Sequence, residues 1–426
     1  MSNKNYKLVV VGAGAAGLMA AVTAAKLGVK GSDILLIEKN DRIGKKLFIT
    51  GKGRCNITNA CDRDAFFKNI MGQSKFLYSS FSVFDNNMVI DFFEEAGVKT
   101  KIERGERVFP ASDHSSDVIG AFKRLINRLG IDLLLNTAVK SINTEYDAVT
   151  GVTLQDGTVI EANAVIIATG GVSYPLTGST GEGFDMVKAL GHSVTELRPS
   201  LVPVVAKEDY CRDLMGLSAR NVNVTITDPS SGKKLYEDFG ELLFTHFGLS
   251  GPLILSASAL IGDEIRKKEL TLSIDWKPAL TEEKLDERIL RDFSENINKD
   301  FRNSIGKLAP QRLCEAIIKL SKIDPHKKVC DITKEERQRL VSLLKDFKVT
   351  LTGLRDFDEA IITKGGVSLK EVSPKTLESK KISSLYIAGE MLDLDALTGG
   401  FNLQIAWSTG FAAGSAAAEQ LSYLYY

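Results

Sequence analysis

The chain is 426 residues long, with 54 Lys plus Arg against 54 Asp plus Glu, and 44% of its residues are hydrophobic. That length exceeds one compact core and sets an expectation of two or three domains. The charge balance excludes a chain-wide field for nucleic acid or an anionic membrane. Five cysteines, with no close C-x-x-C pair or regular spacing, point to a reduced compartment rather than a disulfide scaffold.

Leu8 to Val11 reads as a buried strand. Gly12, Gly14 and Gly17 follow in the order G-x-G-x-x-G, and an alanine-rich helix opens with Ala15 and Ala16. Ile34 to Ile37 is a second strand, ending on Glu38 roughly twenty residues past the last glycine, where a ribose-binding acid belongs. Lys4 and Lys7 ahead of the apolar stretch Leu8 to Ala25 imitate a signal peptide, but three glycines and the following strand argue against one. No stretch offers about eighteen uninterrupted apolar residues, so a soluble, cytoplasmic protein without a membrane partner is expected.

A Gly/Lys-rich loop runs from Gly44 to Thr58, and helices are expected near 74–97 and 115–129. Strands are expected at Asp132–Ile142, Ala148–Leu154 and Thr158–Glu161, the last two joined by an Asp156-Gly157 turn. A continuous apolar strand, Val165 to Ala168, then ends in Thr169-Gly170-Gly171. Beyond Pro199 alternating stretches such as Val222–Ile226 and Leu270–Ile274 suggest antiparallel strands. The pattern turns helical from Thr281 to Lys322, where Leu285, Ile289, Leu290 and Phe293 share a face, and again from Lys334 to Lys345. Phe347–Leu351 and Glu359–Thr363 read as strands, and Leu385 to Glu390 reads as a strand leading to a turn ahead of Gly399-Gly400-Phe401-Asn402.

The expected architecture is α/β: a Rossmann-like FAD-binding domain of the glutathione-reductase type, interrupted by an inserted β domain and a small helical domain. The nucleotide domain is expected at 1–195 plus 366–426, the β-rich insertion at 196–280 plus 346–365, and the helical subdomain at 281–345.

The glycine spacing has direct physical reasons. Gly12 permits the tight turn, Gly14 lets the backbone approach a pyrophosphate, and Gly17 allows close helix packing. The helix N-terminus offers free N–H groups and a partial positive charge to the diphosphate, and Glu38 accepts hydrogen bonds from ribose hydroxyls. NAD needs only this half, whereas FAD also needs support for its ribityl chain and ring. Glu390, after Gly389, is placed for ribityl hydroxyls, and the helix starting near Asn402 points N–H groups at the flavin pyrimidine edge. An ordinary glycine-rich connection before a packing helix is the alternative for that second segment.

Several further motifs carry a resemblance. They are Gly51-Lys52-Gly53-Arg54-Cys55-Asn56-Ile57-Thr58-Asn59; Gly170-Gly171-x-Ser173-x-Pro175 with Gly178-Ser179-Thr180-Gly181; and Phe244-Thr245-His246-x-Gly248-x-Ser250-Gly251-Pro252. Thr363-Lys364-Gly365-Gly366-Val367 and Ala388-Gly389-Glu390 with Thr398-Gly399-Gly400-Phe401-Asn402-x-Gln404 complete the set. Together they resemble the BaiN-like (YhiN-type, HI0933-like) family of bacterial FAD-dependent oxidoreductases over essentially the whole chain. The resemblance implies a tightly, non-covalently held FAD in a domain interrupted by a β and a helical insertion. It also implies that Arg54 through Thr58 contact the cofactor, and that Val139 and Thr169-Gly170 close the adenine end. The cofactor-binding set is therefore expected to be Gly12, Gly14, Ala15, Ala16, Gly17, Glu38, Lys39, Lys46, Gly53, Arg54, Cys55, Asn56, Thr58, Val139, Thr169, Gly170, Gly389, Glu390, Gly400, Asn402, Leu403 and Gln404.

Cys55 and Cys61 are one residue too far apart for the redox pair of flavin disulfide reductases, so a structural or cofactor-adjacent thiol is expected. No second G-x-G-x-x-G follows a strand, which leaves NAD(P)H as a transient donor or electrons from another source. His246 is the leading catalytic candidate, to bind a substrate carbonyl or donate a proton, against a histidine that hydrogen-bonds its own loop. Lys364, before Gly365-Gly366, is the second, as a cation for reduced flavin or an enolate, against a solvated lysine. Tyr174 and Arg107 are weaker candidates, and His114, His192 and His326 lack useful company. No spacing supports a metal site. The expected activity is hydride delivery from reduced flavin to an activated C=C of a small-molecule enone, in the family's case a 3-oxo-Δ4 bile-acid or steroid-like compound, with no nucleic-acid partner. The alternatives are a flavin oxidase or dehydrogenase working oxidatively, and a non-catalytic redox-sensing or RNA-modification-associated flavoprotein.

Overall fold

The computed structural model describes residues 5–423. The chain divides into two compact units, one of 1–199 with 360–426 and the other of 200–359.

The first unit is built on a seven-stranded sheet. Its parallel part runs in the order Asp132–Leu134, Ile34–Ile37, Tyr6–Val11, Val159–Ile167 and Leu385–Ile387. The strands Val139–Glu145 and Ala148–Leu154 extend it antiparallel as a meander. The expected strands at Thr158–Glu161 and Val165–Ala168 are a single strand, Val159–Ile167. Its first residues alternate because they pair in the meander with one face wet, and its last four are all buried because helices cover both faces. That change of pattern made one strand read as two. Conversely, the expected Asp132–Ile142 strand is split, with Asn136 in the left-handed region (φ +51°) between its halves.

The helices show the same local logic. Ser115–Leu129 forms over the expected span and ends at left-handed Gly130. The expected 74–97 helix is interrupted, because the Asp85 carboxylate accepts the Met88 N–H (2.9 Å) and starts a new helix, Asn86–Glu95. The helix Ala15–Lys26 and the terminal helix Phe401–Tyr423 approach at glycines. A Cβ on Gly410 would lie 2.3 Å from the Ala16 carbonyl oxygen, and one on Gly414 2.4 Å from that of Ala20.

The second unit is a closed six-stranded barrel, ordered Val204–Ala206, Gly248–Ser250, Lys234–Phe244, Ser218–Thr227, Leu270–Asp275 and Phe347–Leu354. The helix Pro252–Ile265 lies within the stretch expected to be β-rich, and Pro252 at its first turn is the start signal that marks it. The expected helical run 281–322 resolves into Glu282–Ser294 and Gln311–Ser321, and Lys334–Lys345 begins with a Thr333/Glu336 capping box. Barrel and helices share one hydrophobic core that includes Ile274, Phe293, Leu313 and Leu344. No helix among the described residues is long and apolar enough to cross a membrane.

Candidate functional site

The chemistry-bearing residues of the first unit gather where its parallel strands end. Val11 passes into Gly12, Ile37 into Glu38, Ile167 into Ala168 and Ile387 into Ala388. These ends are stitched by Gly12 N–H to the Ile37 carbonyl (2.8 Å), Ala168 N–H to Val11 (2.9 Å) and Ala388 N–H to Ile167 (3.1 Å). The carboxyl edge of a parallel sheet is where such folds bind ligands.

The glycine turn behaves as its spacing predicts. A Cβ on Gly17 would sit 1.9 Å from the Gly12 carbonyl oxygen, and one on Gly12 (φ +100°) 2.5 Å from that of Ala168. Gly14 has nothing within 4 Å, which leaves its backbone open to a ligand. Glu38, 8% exposed, accepts the Ala13 N–H (2.9 Å) and both the backbone (2.9 Å) and side-chain (2.7 Å) N–H of Asn40. A shallow pocket opens beside it, lined among others by Gly12, Lys39, Val139, Thr169 and Gly183. Lys39 closes one side through Thr180 and Glu182, the latter at 2.7 Å. Thr169 hydrogen-bonds the Met391 sulfur (3.1 Å), and Gly170 is left-handed at φ +80°.

Residues far apart in sequence converge next to the turn. Lys46 Nζ lies 2.7 Å from Glu390 Oε2 and donates to Ser173 Oγ (2.6 Å), while the Thr363 N–H donates to Glu390 Oε1 (2.9 Å). A Cβ on Gly389 would lie 2.7 Å from the Ala16 Cβ, so the C-terminal motif is pressed onto the first turn of the opening helix, at Ala15 and Ala16. Gly400 (φ +99°) is held against the Thr58 carbonyl, 2.4 Å from where its Cβ would be.

Other expected contacts are used within the protein. Arg54 donates to Asp113 (2.7 Å) and Glu103 and stacks over Phe109 at 4.1 Å. Its guanidinium holds Glu103 below the usual carboxylate range; Lys101, with Arg54, does so for Asp113. Thr58 donates to Gln404 Oε1 (2.6 Å), and Gln404 Nε2 donates to the Phe84 carbonyl (3.1 Å) and to Ser408 (2.9 Å). Asn402 braces its own turn through the Ala396 N–H (2.9 Å) and carbonyl (2.8 Å). At this helix start, where Leu403 follows, backbone N–H groups rather than side chains are left for a ligand. Burial pushes the Cys55 thiol up to about 12 and Cys61 to about 11, so neither is a ready thiolate.

The fit to FAD can be tested on two open features. Asn56 Oδ1 is buried without a hydrogen-bond partner among the described residues, and Gly53, like Gly14, has open space where a side chain would be. Unsatisfied buried acceptors are rare in folded proteins and call for a partner. An orphan acceptor and two open backbone positions within the two glycine-rich segments fit a long, polar, diphosphate-bearing ligand.

The two catalytic candidates lie in different units. His246 is exposed on the turn between Lys234–Phe244 and Gly248–Ser250, and its ring meets Phe247 edge-on at 4.9 Å. Lys364 ends the short strand Ile362–Lys364 and is partly buried. His192, expected to lack company, has it: Nδ1 lies 3.2 Å from Glu371 and Nε2 2.9 Å from Ser379 Oγ. The Ser379 oxygen already accepts the N–H groups of Lys381 (3.0 Å) and Ile382 (2.9 Å), so its proton goes to Nε2 and His192 is neutral, donating to Glu371. The partners lie about 180 residues away in sequence, beyond the reach of local spacing.

The 3-dehydro-bile acid delta(4,6)-reductase of Clostridium scindens is 28% identical over 96% of this chain and 98% of its own length. The ribosomal RNA dihydrouridine synthase of Haemophilus influenzae is 29% identical over 97% of this chain and 98% of its own. Among solved structures, 3-ketosteroid delta1-dehydrogenase from Sterolibacterium denitrificans superposes with a TM-score of 0.55 at 13% identity, covering 98% of this chain and all of that one. This last likeness bears on the fold alone, which is the FAD-binding Rossmann-like fold with an insertion. The family model for the HI0933-like protein Rossmann domain matches residues 6–416. The chain belongs to the HI0933-like family, the one that its motifs resemble.

Proposed function

We propose that this protein is a FAD-dependent oxidoreductase that reduces a carbon–carbon double bond conjugated to a carbonyl. The observation that carries the cofactor is the convergence at the sheet edge: an open Gly14, the Glu38 carboxylate, the Lys46–Glu390 pair and the start of the terminal helix. FAD, when bound and reduced, supplies the hydride that no side chain can. Glu38 holds the ribose, and the first N–H groups of the opening helix hold the diphosphate. Lys46 would fix Glu390 for the ribityl chain, while the N–H groups at Phe401–Leu403 would serve the ring's pyrimidine edge. Lys364, in the same unit as these residues, is proposed to meet the substrate at the developing enolate; His246, in the second unit, is a separate proposal for a residue that binds a carbonyl.

Support for the reaction class comes from the relatives' names, which describe one chemical operation. A 3-oxo compound unsaturated at C4 and C6, and a uracil ring, each present a C=C conjugated to a carbonyl. Reduction of either puts a hydride on a carbon remote from the carbonyl and a proton on a nearer one. A small enone is the first reading of the substrate. Uridine in ribosomal RNA is the second, favoured by a relative of equal coverage, and a balanced total charge does not speak against a local RNA contact.

The test is the visible spectrum of the purified protein, followed by anaerobic titration with NADH and NADPH. Substrate trials follow with a 3-oxo-Δ4 steroid and with ribosomal RNA lacking dihydrouridine. An oxidised-flavin spectrum bleached by a nicotinamide and restored by one substrate is expected. A protein that takes up no FAD would refute the reading, and rapid reoxidation by air without either substrate would favour an oxidase.

A further inference from the structure

Three stretches of the first unit meet in a narrow ribbon beyond the sheet edge. Val194 bridges Val367 antiparallel, and Val367 bridges Leu392 in parallel. The Thr195 N–H donates to the Gly366 carbonyl, and the Val367 N–H to that of Met391, both at 2.8 Å. Glycine makes the approach possible. A Cβ on Gly365 (φ +90°) would lie 2.3 Å from the Glu196 carbonyl oxygen, and one on Gly366 2.6 Å from that of Met391.

The ribbon brings Thr195, Lys364 and Asp393 to one place. The Thr195 hydroxyl accepts the Gly366 N–H (2.9 Å), donates to the Gly366 carbonyl (3.2 Å) and lies beside the Asp393 carboxyl, which also feels the Lys364 ammonium. Lys364 has no hydrogen-bond partner among the described residues, so its donors are free for a ligand. Asp393 is partly buried and follows Glu390 by three positions, at the same end of the strand Leu385–Ile387 as the Lys46 cluster.

We infer that Asp393 is the proton donor of the proposed reduction, and that Lys364 and Thr195 receive its conjugate base. The inference rests on the functional reading above. With FAD bound and reduced, a hydride would reach the substrate's β-carbon, and the π electrons would move toward the α-carbon and carbonyl oxygen. The Asp393 O–H then breaks as a C–H bond forms at the α-carbon. The carboxylate left behind sits beside an ammonium and a hydroxyl, and solvent returns its proton. Burial raises the Asp393 pKa above the ordinary carboxyl value, with Thr195 and Lys364 acting in the opposite direction. An acid that holds its proton longer, next to groups that welcome its anion, suits this task.

The test uses the FAD-loaded full chain, photoreduced and mixed without oxygen with 2-cyclohexenone, a 3-oxo-Δ4 steroid or ribosomal RNA lacking dihydrouridine. Flavin reoxidation is followed, and the protonated-carboxyl stretch is titrated by infrared difference spectroscopy. Asp393→Asn should bind FAD as the parent does, lose one carboxyl band and reoxidise at least about 100-fold more slowly, with partial rescue by Asp393→Glu. Lys364→Met should move the loss of that band to higher pH, because the cation that favours the carboxylate is gone. An unchanged band, or reoxidation of Asp393→Asn within about threefold of the parent, overturns the donor role. A parent that binds no flavin, or whose reduced flavin reacts with none of the three compounds, sinks the functional reading and this inference with it.

Discussion

Glu38→Gln separates two jobs that the Glu38 carboxylate performs at once. The side chain is 8% exposed and already accepts three N–H groups, from Ala13 on one oxygen and from Asn40 on the other. Glutamine keeps one oxygen and presents an amide donor in place of the other, so at least one buried N–H loses its acceptor. That costs about 1–3 kcal/mol of apoprotein stability, and at roughly 2–4 °C per kcal/mol the melting temperature should fall by about 2–12 °C. The ribose hydroxyls would also exchange a charged acceptor for a neutral one. A loss of about 2 kcal/mol there weakens FAD roughly 30-fold. Both are read on one preparation, by thermal melting of the apoprotein and by quenching of FAD fluorescence on titration. A lower melting temperature with FAD affinity within about twofold of the parent would refute ribose binding and leave Glu38 as a brace of the turn. If neither quantity moved, the hydrogen-bond reasoning itself would be wrong.

Gly17→Ala places a methyl 1.9 Å from the Gly12 carbonyl oxygen, and the helix cannot retreat freely because Gly410 and Gly414 already press the terminal helix onto its backbone. The expected loss is about 1–3 kcal/mol in denaturant unfolding, with weakened FAD retention; parental stability would show that the packing is looser than described. Lys46→Met strands Glu390, whose side chain is 18% exposed, with only the Ser173 and Thr363 donors. Because both partners remain partly wet, about 2 kcal/mol is expected rather than the full cost of a broken buried pair, and Glu390→Gln in the same chain should recover part of it. Stability should also fall in acid. Burial depresses the His192 pKa below 6.5, against the pull of Glu371, so the unfolded chain takes up that proton first and stability declines below about pH 6.5. Burial opposes the Glu371 charge, but Lys381 and Ser193 outweigh it and hold its pKa at about 2, so its contribution is lost as pH falls from 4.5 toward that value. Urea midpoints between about pH 8 and 4 should show the first decline, and His192→Gln should flatten it; a midpoint unchanged down to about pH 5 would contradict the linkage.

The nucleotide turn was legible in the sequence because its chemistry is local. Strand, glycine spacing, helix and terminal acid fall within the first 38 residues, and Gly17 answers to Gly12 within the same turn. The helix Ser115–Leu129 was legible for the same reason, since one apolar face and a following glycine state both its course and its end. The sequence was ambiguous where one element serves two environments. Val159–Ile167 changes from a half-wet hairpin strand to a fully buried parallel one, and the pattern alone reads that as two strands.

The pairings that define the site belong to the tertiary structure. Lys46 and Glu390 are 344 residues apart, yet Lys46 completes the polar cluster at the C-terminal motif. Arg54, in a motif that suggested a ligand contact, has its charge answered by Glu103 and Asp113. Asp393 reads in the sequence as one acid in a leucine-rich loop, and its meeting with Lys364 and Thr195 exists only because two glycines let three backbone stretches close together. Periodicity and turn chemistry depend on neighbours within a few positions, so the sequence alone declared the fold class and the nucleotide turn. Charge partners and burial depend on residues hundreds of positions away, and only chain packing decided them.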